Sequence, residues 1–156
     1  MSSAPALAPA RTVSSAPAPA PTVSSKPAPA PIVSTILVIE DYSDTRELLS
    51  GILRFQGYNV IEAEDGLEGL LKAIANCPDL IIMDLALPEL DGIELARRIH
   101  GEPKLARTPI FVVSAYLTEE VKADARAAGC IEVIAKPFDA DALLEKIDKA
   151  LRTERG

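Results

Sequence analysis

Four short runs of nearly unbroken apolar sequence constrain this chain most: Ile36-Leu37-Val38-Ile39, Leu80-Ile81-Ile82-Met83, Ile110-Phe111-Val112-Val113, and Val133-Ile134-Ala135 preceded by Ile131. A strand with one wet face alternates polar and apolar residues. Runs that do not alternate, and are rich in β-branched residues, therefore predict strands covered on both faces, as in a parallel sheet. A fifth, weaker strand spans Asn59 to Ala63, and its polar content places it at an edge. Between these runs the period becomes helical. Leu67, Leu70, Leu71 and Ile74 recur at i, i+3, i+4 and i+7, and Leu48, Leu49, Ile52 and Leu53 form a comparable stripe. Further helices are predicted near Ile93 to His100, Glu119 to Ala128 and Ala140 to Arg152. Asp44 and Asp65 each stand three residues before a glutamate, in capping-box spacing, and Thr118 and Asp139 are N-cap candidates. Gly57, Gly101 and Gly129 follow helical stretches, where positive φ is favoured. The pattern is (βα)₅: an α/β fold with a doubly wound, five-stranded parallel sheet. The flavodoxin-like order 2-1-3-4-5 is expected, with a ligand site where the first and third strands end.

Residues 1–34 differ in kind. They hold eight of the thirteen prolines, no acidic residue and only two charges, Arg11 and Lys26. SSAPAPAPTV (Ser14 to Val23) is followed by SSKPAPAPIV (Ser24 to Val33), with a looser copy over Ser2 to Val13. Alternating Ala-Pro offers neither ladder hydrogen bonds nor a face to bury, so a disordered, polyproline-biased Ala/Pro/Ser tail is expected. Extended at about 3.1 Å per residue it would reach on the order of 100 Å, as a spacer or as a docking site for a proline-binding module. The remaining 122 residues carry all 23 acids and 14 bases, a net charge of −9. That balance argues against nucleic-acid binding, which relies on Lys and Arg at phosphates. No apolar run approaches the roughly 20 residues of a membrane span and no secretory signal opens the chain, so a soluble, cytoplasmic protein with no membrane insertion is expected. Cys77 and Cys130 have no metal-ligand spacing and read as reduced, partly buried thiols. His100, the single histidine, reads as a surface residue.

The predicted topology brings chemistry to one edge. The first strand leads into Glu40-Asp41 and the third into Asp84, so three carboxylates meet at the switch point. Like charges at about 4 Å repel by roughly 4 kcal/mol at an effective dielectric of 20, and such a cluster needs a cation. An all-oxygen, carboxylate-rich set suits Mg²⁺. The fourth strand adds the Ser114 hydroxyl and the fifth the Lys136 ammonium. Carboxylates, metal, hydroxyl and lysine are the parts needed to move a phosphoryl group onto a carboxylate and hold the product.

On the stretches ILVIEDYSDTREL, LIIMDLALPELDGIEL, PIFVVSA and IAKPFDADALL, residues 35–152 resemble a response-regulator receiver domain of two-component signalling. The resemblance implies that Asp84 is the phosphoacceptor and that Glu40, Asp41, Asp84 and the Ala86 backbone carbonyl hold Mg²⁺. It implies that Ser114 is the switch hydroxyl, that Lys136 pairs with a phosphoryl oxygen, and that the Lys136–Pro137 bond is cis. The implied partners are a sensor histidine kinase or histidine phosphotransfer protein and a downstream protein target. The implied reaction is phosphoacceptor signalling with slow self-dephosphorylation rather than turnover as an enzyme. Ala86 and Tyr116, two residues beyond Asp84 and Ser114, are expected to set the reset rate. Only five residues follow Leu151, with 153–156 read as a C-terminal tail, so output through protein contacts or a phosphorelay is expected.

One position departs from the family pattern: Val133 stands where many receivers carry an aromatic. An inward-swinging ring cannot transmit the signal here. The alternative reading is a receiver-like scaffold that works without phosphorylation. An Asp-nucleophile phosphatase of the haloacid dehalogenase type would need an acid two residues after Asp84, where this chain has Ala86.

Overall fold

The structure is a computed structural model that describes residues 33–155. The repeated tail lies outside the described residues, Val33 and Ser34 excepted. Ser34, expected to close the tail, is buried, and its carbonyl accepts the Asn59 N–H at 2.9 Å. The elements run β1 (Thr35–Ile39), α1 (Ser43–Phe55), β2 (Asn59–Ala63), α2 (Gly66–Asn76), β3 (Leu80–Asp84), α3 (Gly92–His100), a 3₁₀ turn (Pro103–Leu105), β4 (Ile110–Ser114), α4 (Glu119–Ala127), β5 (Glu132–Ala135) and α5 (Ala140–Arg155). All neighbouring strands pair in parallel in the order β2-β1-β3-β4-β5. The expected topology is the one found.

Successive side chains of β1, β3 and β4 go to opposite faces, and both faces are covered. Leu37, Ile39, Ile81, Met83, Ile110 and Val112 pack with residues of α2, α3 and α4. Ile36, Val38, Leu80, Ile82, Phe111 and Val113 pack against α1 and α5. Two apolar faces are what an unbroken run encodes. Each fully buried Ile or Leu contributes on the order of 2 kcal/mol, so these three strands carry most of the sheet's hydrophobic stabilisation.

Some local expectations need correction. β5 is the second edge; Glu132, Val133 and Ile134 are only partly buried, Ala135 is exposed, and Ile131 lies outside the strand, half-exposed. The stripe on α2 marks a helix but not its buried face: Leu67 and Leu71 are 60% and 58% exposed, while Gly66, Gly69 and Ala73 are buried, Gly69 against Ile39 of β1 and Gly66 against Leu90. α1 is preceded by Tyr42 without a side-chain cap, which leaves Asp44 in the first turn. Asp65 does cap α2, accepting the Glu68 N–H at 2.8 Å, and Glu68 returns the bond to the Glu64 N–H at 2.6 Å. Thr118 caps α4 as expected. α5 continues to Arg155, past Arg152 and through most of the segment read as a tail. Both cysteines are free, but Cys77 is exposed and only Cys130 is buried, which raises its thiol pKa to about 11.

His100 is not a simple surface residue. Its half-buried ring shares a hydrogen bond with the Thr108 carbonyl at 2.9 Å and lies against Gly129. Gly57 and Gly129 have φ of 97° and 102°, whereas Gly101, at −74°, needs no special freedom. A Cβ on Gly129 would both strain the backbone and collide with the His100 ring.

Two substitutions should therefore move stability in opposite directions. Gly129→Ala is expected to cost about 2 kcal/mol or more in urea unfolding. Ser50→Ala is expected to stabilise by about 1 kcal/mol, because the buried Ser50 Oγ on α1 has no hydrogen-bond partner among the described residues. A neutral Gly129→Ala, or a destabilising Ser50→Ala, would contradict this packing.

Candidate functional site

β1 and β3 are adjacent, and the connections that follow them leave to opposite sides of the sheet, which opens a crevice at their C-terminal ends. Ile39 pairs with Met83, so the next residues, Glu40 and Asp84, stand level across that crevice. Glu40 and Asp84 are 4% and 8% exposed. One carboxylate oxygen from each of Glu40, Asp41 and Asp84 lies within 4.8 Å of the others. The three carboxylates predicted from the ends of the first and third strands do converge.

Lys136 reaches them from the far side of β4. Ser114 pairs with Ala135, and the Lys136 N–H donates to the Ser114 carbonyl at 2.9 Å, which anchors the lysine just past the sheet edge. Its Nζ donates to Glu40 Oε1 and to Asp84 Oδ2, both at 2.8 Å. The Lys136–Pro137 peptide is cis, as expected. The remaining oxygens are held by backbone: Tyr42 N–H donates to Glu40 Oε2 at 3.2 Å and Ala86 N–H to Asp84 Oδ1 at 2.9 Å. Ala86, predicted to offer its carbonyl, thus meets Asp84 through its N–H. Ser114 is buried, and its Oγ accepts the Tyr116 N–H at 3.3 Å.

Burial is the largest influence on Glu40 and raises its pKa, against the lowering bonds from Lys136 and Tyr42 and with further help from Asp84. Burial pulls Lys136 down, but its bonds to Asp84 and Glu40 prevail and its pKa is raised. Three carboxylates against one ammonium leave two negative charges uncompensated, with exposed Asp41 facing solvent. A hard divalent cation with oxygen preference fits both that charge and that donor set.

Two residues that the sequence did not single out support the site. Arg46 on α1 donates from Nε to Glu62 Oε1 at 3.2 Å and from NH1 to the Glu40 carbonyl at 2.9 Å. Glu62 on β2 also meets Arg54 at 3.1 Å. The only sequence trace of this is an arginine one turn inside a helix that follows the acidic pair.

Residues 36–148 match the response regulator receiver domain family. The chain is 36% identical over 119 residues to the response regulator ArlR of Staphylococcus aureus, covering 76% of this chain and 53% of that protein. It thus spans about half the length of the curated relatives it matches. The chemotaxis response regulator CheY4 of Vibrio cholerae superposes with a TM-score of 0.72 at 28% identity, over 76% of this chain and 99% of that one. The receiver domain of sensor histidine kinase PA1611 from Pseudomonas aeruginosa, solved with magnesium coordinated in its active-site cleft, gives 0.72 at 28% identity, over 77% and 98% of the two chains.

Removing the ammonium should expose the cost of this cluster. Lys136→Met is expected to lose about 3 kcal/mol in EDTA at neutral pH, because it leaves nearly buried like charges unpaired, and millimolar Mg²⁺ should recover part of that. Glu40, with a raised folded pKa, stabilises the fold while protonated and loses that contribution as pH rises from the ordinary glutamate value through the raised one. The deficit of the variant should accordingly shrink on acidification into the glutamate range. A deficit that is flat with pH and indifferent to Mg²⁺ would contradict the charge argument.

Proposed function

Because the chain belongs to the response regulator receiver domain family, we propose that it accepts a phosphoryl group on Asp84 from a phosphohistidine of a sensor histidine kinase or histidine phosphotransfer protein. The observation that carries this reading is the Lys136 ammonium held at 2.8 Å from both Asp84 and Glu40 at the switch point. An Asp84 carboxylate oxygen attacks phosphorus in line. The O–P bond forms as the P–N bond breaks, and the imidazole leaves with the bonding pair. The Ala86 N–H on Oδ1 fixes the carboxylate plane, so little reorganisation is needed at attack. Lys136 shifts from a carboxylate oxygen to a phosphoryl oxygen, and the Ser114 hydroxyl, released from the Tyr116 N–H, turns to another. Glu40, Asp41, Asp84 and the Ala86 carbonyl would hold Mg²⁺, which when bound would supply positive charge against the phosphoryl oxygens.

The product is an acyl phosphate, which water hydrolyses by attack at phosphorus, so the signal resets slowly. Ala86 and Tyr116 flank that approach and set the rate. A protein partner is supported by an apolar groove of about 560 Å³ along α1 and the start of α5, lined by Leu48, Ile52, Phe55 and Leu144. Output passes to a downstream protein target, by contact or by relay, through the α4–β5–α5 face. Among the described residues no helix is long and apolar enough to cross a membrane, and a cytoplasmic location accords with that.

Incubation with acetyl phosphate and Mg²⁺ should add the mass of one phosphoryl group, and Asp84→Asn should abolish the gain. Substitutions at Ala86 or Tyr116 should change the lifetime of the modified protein severalfold while leaving it modifiable. No mass gain in the parent, or a gain that survives Asp84→Asn, would favour a scaffold that works without phosphorylation.

A further inference from the structure

Arg46 is buried for a charged residue, its side chain only 12% exposed, and its two ends bind different strands. Its Nε meets the Glu62 carboxylate on β2, and its NH1 meets the main-chain carbonyl of Glu40, the residue that follows β1. The Glu40 N–H is already tied to the Ala63 carbonyl at 3.1 Å. The Glu40 backbone is therefore clamped on both sides, and its carbonyl belongs to the same peptide plane as the Asp41 N–H. Asp41, exposed, makes no hydrogen bond or ion pair of its own among the described residues, yet its carboxylate must stay within 4.8 Å of Glu40 and Asp84 to act with them. Nothing on its own side chain holds it there. Its position is inherited from that plane.

We propose that Arg46 is a positioning residue for the divalent-cation site: oriented by Glu62, it fixes the Glu40–Asp41 peptide and so sets the affinity of the acidic cluster for Mg²⁺. The inference rests on the reading of that cluster as a metal site. Two influences of the guanidinium oppose each other. Its positive charge would weaken cation binding, and its grip on the peptide would strengthen it. The charge is countered at 3.2 Å by Glu62, which also meets the more exposed Arg54, and the guanidinium touches the Glu40 main chain rather than a carboxylate of the cluster, so the geometric effect prevails. A guanidinium suits the task because it can direct separate N–H groups at a carboxylate and a carbonyl at once.

The test is Mg²⁺ titration of the full chain by calorimetry, with Asp41 amide shifts read by NMR in the metal-free protein. Arg46→Met should weaken Mg²⁺ binding by about tenfold and shift the Asp41 amide before metal is added. Arg46→Lys, which keeps the charge but not the fork, should weaken it in the same direction and serves if Arg46→Met does not fold. Arg54→Met removes the outer partner of Glu62 and should leave affinity within twofold of the parent. Combining Glu62→Gln with Arg46→Met should weaken binding no further than Arg46→Met alone. Parent-like affinity in both Arg46 variants, tighter binding in Arg46→Met, or an equal loss in Arg54→Met would overturn the positioning role. A parent chain that binds no Mg²⁺ would instead overturn the metal reading of the cluster, and this inference with it.

Discussion

One ammonium shared by two nearly buried carboxylates is the interaction on which the functional end of this domain depends. Glu40 leaves β1, Asp84 ends β3 and Lys136 follows β5, so the three side chains join strands that are not all neighbours. A pair of opposite charges at about 3 Å gains roughly 5 kcal/mol at an effective dielectric of 20, while the desolvation of each ion costs several. The gain and the cost are of the same size, so the cluster adds little net stability. What it does is hold charge in a fixed place, which is the property a phosphoryl acceptor needs.

That arrangement explains why the hydrophobic part of the fold is so regular beneath it. A sheet packed on both faces holds its strand ends in fixed register. The level pairing of Ile39 with Met83 and of Ser114 with Ala135 sets where the carboxylates and the lysine emerge. Arg46 and Glu62 extend the same principle to the loop after β1, where no ladder hydrogen bond is left to fix Asp41.

The strands, their order and the convergence of Glu40, Asp41, Asp84 and Lys136 were legible because each follows from an apolar run and its end. The buried face of α2 was not. Large apolar residues dominate any reading of helical periodicity, but α2 lies so close to the sheet that a Cβ on Gly69 would fall 2.5 Å from Ile39 Cδ1. Small residues make that contact, and Leu67 and Leu71 are turned outward. β5 misled in the opposite sense, since Val133 and Ile134 are apolar at an edge that is only partly covered. His100 looked like surface because its partner, the Thr108 carbonyl, belongs to a loop whose path no periodicity reveals. Arg46 stayed hidden for a similar reason: its acceptors, Glu62 and the Glu40 carbonyl, become neighbours only once β1 and β2 pair.

The departure at Val133 bears on how a load on Asp84 would be felt elsewhere. An ammonium has three donors, and two of those on Lys136 are committed to Glu40 and Asp84. Added phosphoryl oxygens would force a redistribution, while the Lys136 backbone stays tied to the Ser114 carbonyl. Val133, three residues upstream, is short and half-buried, with no ring to swing into vacated space. A route through Ser114 would remain. If its hydroxyl turns toward the phosphoryl group, the Tyr116 N–H loses its acceptor, and Tyr116 opens the loop into α4. Within α4 only Ala125 is buried, whereas α3 buries Gly92, Leu95, Ala96 and Ile99. A helix so lightly anchored moves at small cost, so a change at the hydroxyl can reach the α4–β5–α5 face without an aromatic relay.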